Sequence, residues 1–319
     1  MSGAARLAAC DPPWWARGAH AQTIFGHVLP CAAPQLSRSA RREVELDDGD
    51  RLVVHELDGV SGVRVVLLHG LSGDVDSDYM RGAARALQER GHSVWAVNHR
   101  GCGLGRGLAT RPYHSGRSAD LRAVLRESRA LAPSLAHVVV GFSISGNIAL
   151  LAASEELEPL ADAVLAVNPP IDLAHAADAV HAGRNRLYEL RFVARLRAAA
   201  RHFESLGAVC ARAPLSRWHS LREFDDRFTA PVSGFASAAD YYAACSSAPR
   251  LGAIRIPTAI LSSYDDPLVA PGILLGARRS ASTSLHLELH GGHMGYVSRR
   301  GRWIDGAVVH FVELLVARR

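Results

Sequence analysis

Val138-Val139-Val140-Gly141-Phe142-Ser143-Ile144-Ser145-Gly146-Asn147 runs from consecutive valines, through a glycine and a serine, into a helical pattern that continues to about Glu156. A short β-branched run of this kind fits a strand buried on both faces. A serine at such a strand-to-helix turn has its hydroxyl lifted clear of the sheet. Small neighbours let the turn close, and the positive end of the following helix faces any negative charge that develops there. The pattern is Gly-x-Ser-x-Gly with Ser145 in the last place. Serine is the next smallest polar choice, so the turn is expected to survive with some crowding. Ser143 is the candidate nucleophile. Ser145 is a poorer one, because Ser143 stands two places before it, where a glycine would be wanted. The bland alternative for the segment alone is an ordinary strand–turn–helix with a polar loop.

Working outward, strands and helices alternate. Arg42–Leu46 and Leu52–Leu57 read as two strands around an Asp-Gly turn. Val63–Leu68, Val94–Val97, Ala163–Val167, Ile260–Ser263 and Leu285–Leu289 read as further strands. Helical periodicity covers Tyr79–Arg90, Ser118–Leu131 and Trp303–Val316. This alternation predicts an α/β fold, a mostly parallel central sheet with helices on both faces. It breaks between Asp172 and Tyr242, where arginine, alanine and aromatics follow helical spacing. The expectation is one domain over residues 1–319, with residues 172–242 inserted as a helical cap. The adjacent tryptophans Trp14 and Trp15 would be costly in a free tail, so they are expected to pack against the body.

Three other stretches, each at the end of an expected strand, carry chemistry. Leu67-Leu68-His69-Gly70-Leu71-Ser72-Gly73 is a glycine turn. A backbone N–H from such a loop and one from the residue after the nucleophile form an oxyanion hole, which makes Leu71 and Ile144 the candidate donors. Ser263-Tyr264-Asp265-Asp266-Pro267 supplies an acid, and Gly291-Gly292-His293-Met294-Gly295 a base. A catalytic histidine needs a carboxylate on Nδ1 to hold its tautomer and stabilise the imidazolium. Asp266 is preferred because it directly precedes the Pro-apolar-apolar turn, with Asp265 as the alternative acid. A strand-end Asp is often only a helix cap, and a His among glycines often only a turn. The order Ser…Asp…His with all four stretches in place is much harder to reach by chance.

The composition removes other chemistries. Of 319 residues, 48% are hydrophobic and 21% charged, which is globular rather than disordered. All 36 basic residues are arginine. With no lysine, a phosphate-binding lysine, a Schiff base and a Ser–Lys dyad are excluded. The net charge of +5 is spread along the chain, so no nucleic-acid partner is expected. Asp74–Asp78 opens like a calcium loop but has Tyr79 and Arg85 where glycine and glutamate are required. Gly101–Gly107 fits no Gly-x-Gly-x-x-Gly register. Sixteen histidines show no metal-ligand spacing, so no metal is expected. Five scattered cysteines suggest free, mostly buried thiols and a cytoplasmic protein, and no run is apolar enough to span a membrane.

The chain resembles the YheT-like branch of the α/β-hydrolases, bacterial relatives of abhydrolase-domain esterases and phospholipases. The resemblance rests on Gln22-Thr23-Ile24, His69–Gly73, Asn98–Cys102, Gly141-Phe142-Ser143, Gly146-Asn147, Gly234-Phe235, Asp240–Tyr242, Ile256–Thr258, Asp265–Pro267 and Gly292–Gly295. It departs at Ser145, where the family usually has glycine. The resemblance implies hydrolysis of carboxylic esters, acyl esters or lipids among them, without a cofactor. The alternatives are acyltransfer, thioester or lactone cleavage, or a non-catalytic binding relic. Acyl length, alcohol group and oligomeric state are not legible.

Overall fold

A computed structural model describes residues 7–155, 159–205, 207 and 220–318. Eight strands form one sheet: β1 (Ala40–Glu45), β2 (Arg51–Leu57), β3 (Val63–Leu68), β4 (Ser93–Asn98), β5 (Ala136–Phe142), β6 (Ala163–Val167), β7 (Thr258–Ser263) and β8 (Thr283–Glu288). Their order is β1-β2-β4-β3-β5-β6-β7-β8. β1 and β2 are antiparallel, β2 is antiparallel to β4, and every later pairing is parallel. The expected strands are present, most of them one or two residues longer.

The sheet is buried on both faces, as the unbroken apolar runs require. Along β3, Val65 and Leu67 pack with Met80 and Leu87 of α2 (Asp78–Glu89) and with Val308 and Val312 of the helix Trp303–Val316. Val66 and Leu68 point the other way. They join Val124 of α3 (Ser118–Leu131) and Ile148 and Leu150 of α4 (Ile144–Glu155). α4 is buried on nearly every side, which suits its Ala/Leu/Ile-rich sequence.

Between β6 and β7 the described residues contain helices and no strand. α5 (Leu173–His181) and α6 (Arg186–Ser205) come first. Leu221–Val232 follows with a π-helical turn at Asp225–Thr229, and then the helix Ala238–Cys245. Residues 206 and 208–219 of the expected insertion lie outside the described residues, as does Cys210. The other four cysteines are free, and of these Cys10 and Cys245 are buried. No helix among the described residues is long and apolar enough to cross a membrane.

One expectation fails. Trp14 is 80% and Trp15 40% exposed. They sit on a 3₁₀ turn where, among the described residues, only Trp15 finds an aromatic partner, meeting Phe25 edge-on at 4.9 Å. Phe25 belongs to α1 (Ala19–Val28), a helix that the sequence pattern does not announce.

A buried arginine ties the first hairpin to the core. Arg100, just past β4, bonds Asp120 of α3 through Nε and Nη2 at 2.7 Å each. Its Nη1 reaches Asp48 at 2.8 Å and Asp50 at 2.5 Å in the β1–β2 turn. The Arg100, Asp50 and Asp120 side chains are only 3%, 3% and 6% exposed. Removing one member of such a group strands the others' charge away from water. Arg100→Ala is expected to cost roughly 3–5 kcal/mol, read as a fall in the urea midpoint with little change in slope.

Candidate active site

Parallel pairing sets the carboxyl ends of β3, β5, β6, β7 and β8 along one edge. Leu68 is opposite Gly141, Phe142 opposite Val167, Val167 opposite Leu261, and Ser263 opposite Glu288. The loops that leave these ends hold every residue singled out above.

At the end of β5 the backbone of Ser143 turns left-handed, φ 53°, an unfavourable region for a residue with a Cβ. It is held there by its N–H bond to the Val167 carbonyl at 2.8 Å and by the start of α4. Gly141 is required, because a Cβ on it would lie 2.2 Å from the Ser145 carbonyl oxygen. The Ser143 hydroxyl lies 2.9 Å from His293 Nε2.

His293 Nδ1 lies 3.0 and 3.2 Å from the two oxygens of Asp266. Asp266 also accepts the Leu268 and Val269 amides at 2.8 and 3.0 Å, and the Asn168 side-chain amide at 2.7 Å. These donors fix the carboxylate and supply the hydrogen bonds that a buried charge needs. Asp265 points elsewhere, accepting the Gly291 and Gly292 amides at 2.9 and 2.8 Å. It shapes the histidine loop and leaves Asp266 as the carboxylate on the ring.

α1 seats that loop. The His293 amide donates to Thr23 Oγ1 at 2.9 Å. Gln22 bonds the Val297 amide and carbonyl at 2.7 and 2.9 Å. Gly295 lies so near α1 that a Cβ there would be 2.1 Å from the Gln22 carbonyl oxygen. The roles of Gln22, Thr23 and Asn168 escaped the sequence reading, although Gln22-Thr23-Ile24 was among the matching stretches.

In the loop after β3, Gly70 N–H donates to Tyr79 Oη and Ser72 N–H to Tyr113 Oη, each at 2.8 Å, and Gly73 N–H to the Gly70 carbonyl at 3.1 Å. The Leu71 amide has no such acceptor among the described residues. The Ile144 amide stands at the first position of α4, where a helix offers no acceptor of its own. Leu71, Ile144, Ser143 and His293 line one cavity of about 790 Å³, open mouth included. Most of its remaining lining is apolar, including Leu173, Ala177 and Val180 of α5 and Phe192 and Leu196 of α6. A second cleft, with a larger polar share, is also lined by His293 and has Leu71, Phe192 and Leu268 in common with it.

Ser145 is fully buried rather than merely tolerated. Its hydroxyl donates to the His69 carbonyl at 2.5 Å and lies 2.7 Å from His99 Nε2. His69 Nδ1 lies 2.8 Å from the Gly70 carbonyl, and His69 Nε2 accepts the His99 amide at 3.2 Å. One proton assignment satisfies every bond: His69 protonated on Nδ1, His99 on Nε2, both rings neutral. Neutral rings suit the setting. Burial pushes His69 down to about 4, against the pull of the Gly70 carbonyl. Burial, then the neighbouring His69, hold His99 well below the usual imidazole range. Tyr113 stacks on His99 with ring centres 4.9 Å apart. A hydroxyl where glycine is usual thus joins the turn under Ser143 to the strand that leads into the Leu71 loop.

A family model for the alpha/beta hydrolase fold matches residues 63–299. The putative esterase YheT of Escherichia coli is 33% identical over 239 residues, 73% of this chain and 70% of that protein. The human phospholipase ABHD3 is 26% identical, covering 96% of this chain and 78% of its own. The yeast monoacylglycerol lipase from Saccharomyces cerevisiae is 26% identical over 78% of this chain and 59% of that one. Among solved structures, the Pyrococcus furiosus esterase Pf2001 superimposes with a TM-score of 0.60 at 17% identity, over 90% of this chain and 98% of that one. This last likeness speaks for the fold alone.

Ser145→Ala removes the only bond described for His99 Nε2 and leaves that donor buried. The expected loss is about 1–3 kcal/mol, measured by chemical denaturation. A change within error would mean that the serine is a space-filler.

Proposed function

The chain belongs to the α/β-hydrolase family, in its YheT-like branch, and from that premise we propose that it is a serine hydrolase of carboxylic esters. Ser143 is the nucleophile, His293 its base and Asp266 the acid that orients the base. The observation that carries this reading is the continuous chain of contacts from Ser143 Oγ through both ring nitrogens of His293 to a carboxylate held by three further donors. The names of the relatives, esterase, monoacylglycerol lipase and phospholipase, agree with it.

The reaction runs in two halves. His293 Nε2 takes the hydroxyl proton as Ser143 Oγ attacks the ester carbonyl. The oxyanion is held by the Leu71 and Ile144 amides, each worth roughly 3 kcal/mol, with the α4 N-terminus adding its dipole. The imidazolium, stabilised by Asp266, protonates the departing alcohol. Water, deprotonated by the same ring, then attacks the acyl-enzyme and releases the acid. Residues 172–242 act as a cap, and the apolar cavity under α5 and α6 receives the acyl chain. Its lining favours substrates with an aliphatic acyl group.

Ser143→Ala is expected to abolish both p-nitrophenyl ester hydrolysis and labelling by a fluorophosphonate. Asp266→Asn, which keeps the shape and spoils the tautomer, should lower kcat by about 10⁴-fold. Asp265→Asn should lower it far less. Comparable losses at both positions, or turnover that survives without Ser143, would overturn the assignment.

A further inference from the structure

Among the described residues, the largely apolar lining of the cavity carries one carboxylate: Asp225, with Thr229 and Tyr242, lines the wall together with Leu173, Ala176 and Leu221. Asp225 is 8% exposed. It opens the π-helical turn Asp225–Thr229 and Thr229 closes it, so the wide turn sets both polar side chains on the cavity. Single π turns of this kind are frequent at functional sites.

Asp225 Oδ2 accepts the Tyr242 hydroxyl at 2.8 Å, and the Thr229 hydroxyl stands near enough to favour the charged form. A carboxylate has room for about four hydrogen bonds, so acceptor capacity remains. No cation is in ion-pair contact with it among the described residues. Arg222, the arginine nearest in effect, bonds Asp178 at 2.7 Å and lies over the Tyr242 ring at 5.3 Å. Burial pushes the Asp225 carboxyl up to about 6, against the two hydroxyls and the field of Arg222. Holding Tyr242 does not require a carboxylate. An asparagine carbonyl would accept the same hydroxyl without the cost of a buried anion. The charge gains a purpose if the ligand brings the missing donor.

We propose that Asp225 selects acyl groups that are apolar along their length and carry a hydrogen-bond donor, an ω-hydroxyl or ω-ammonium, at the far end. This rests on the reading of the cavity as the acyl site. The unbranched apolar stretch of the chain lies against α5 and α6, and its polar tip meets the Asp225 carboxylate beside Thr229 and Tyr242.

The test pairs p-nitrophenyl esters of equal length, methyl-ended against ω-hydroxy and ω-amino, from butanoyl to octanoyl. The readout is the ratio of kcat/KM within each pair, which cancels general damage to the enzyme. At the matched length the wild type is expected to favour the donor-ended ester by about tenfold, the size of one charge-assisted hydrogen bond. Asp225→Asn, which retains the acceptor for Tyr242, should bring the ratio down toward unity, and Asp225→Leu should invert it. A wild-type preference for the methyl-ended ester at every length, or an unchanged ratio in Asp225→Asn, overturns the proposal. Calorimetry on the Ser143→Ala protein with alkanoates and ω-aminoalkanoates separates this outcome from failure of the esterase reading. If no ester is turned over, tighter binding of the ω-amino acids that is lost in Ser143→Ala/Asp225→Asn still supports selection by Asp225, and equal binding refutes it.

Discussion

In-register parallel pairing from β3 to β8 is the constraint on which everything else rests. Parallel strands point the same way, so their carboxyl ends fall on one edge and the loops that leave them converge. The hydroxyl of Ser143, the imidazole of His293 and the carboxylate of Asp266 each come from a different loop. None of the three needs a long side chain to reach the next. A slip of one residue in β5 or β7 would move every side chain of that strand to the opposite buried layer and shift the strand-end loop out of place. The register is therefore defended by the whole core, by Val65 and Leu67 on one side and Val66 and Leu68 on the other.

The turn at Ser143 shows how that rigidity is used. A left-handed serine is unfavourable in isolation, and here it is over-determined. The Val167 carbonyl holds its amide, Gly141 makes room beneath it, and Ser145 bonds the strand next door. The same Ser145 bond joins this turn to the peptide that precedes Gly70 and Leu71. The two amides proposed to receive the oxyanion are thus fixed relative to each other through a pair of neutral imidazoles, not through solvent-exposed side chains.

Much of this was legible beforehand, because the informative residues are local. Valine runs, strand-end glycines and the order of the four motif stretches do not depend on distant partners. What was missed depends on contacts across the whole chain. α1 carries small, polar and apolar residues without a strong periodic face, and its logic lies in Gln22 and Thr23 meeting Val297 and His293. Trp14 and Trp15 mislead because bulk alone predicts burial, whereas among the described residues their short turn meets only Phe25 as an aromatic neighbour. Ser145 read as a mild defect in the turn. Its partner His99 lies 46 residues away, and nothing local announces it. Asp225 was passed over for a similar reason: within an arginine- and acid-rich stretch, a buried carboxylate looks like any surface one.

The bond between Thr23 and the His293 amide spans 270 residues. On a translating ribosome, the Ser143 turn emerges well before the His293 segment, which follows it by 150 residues. α1 must meanwhile wait for the loop that carries His293. The contact between Ser143 and His293 can therefore close only after both segments have left the ribosome.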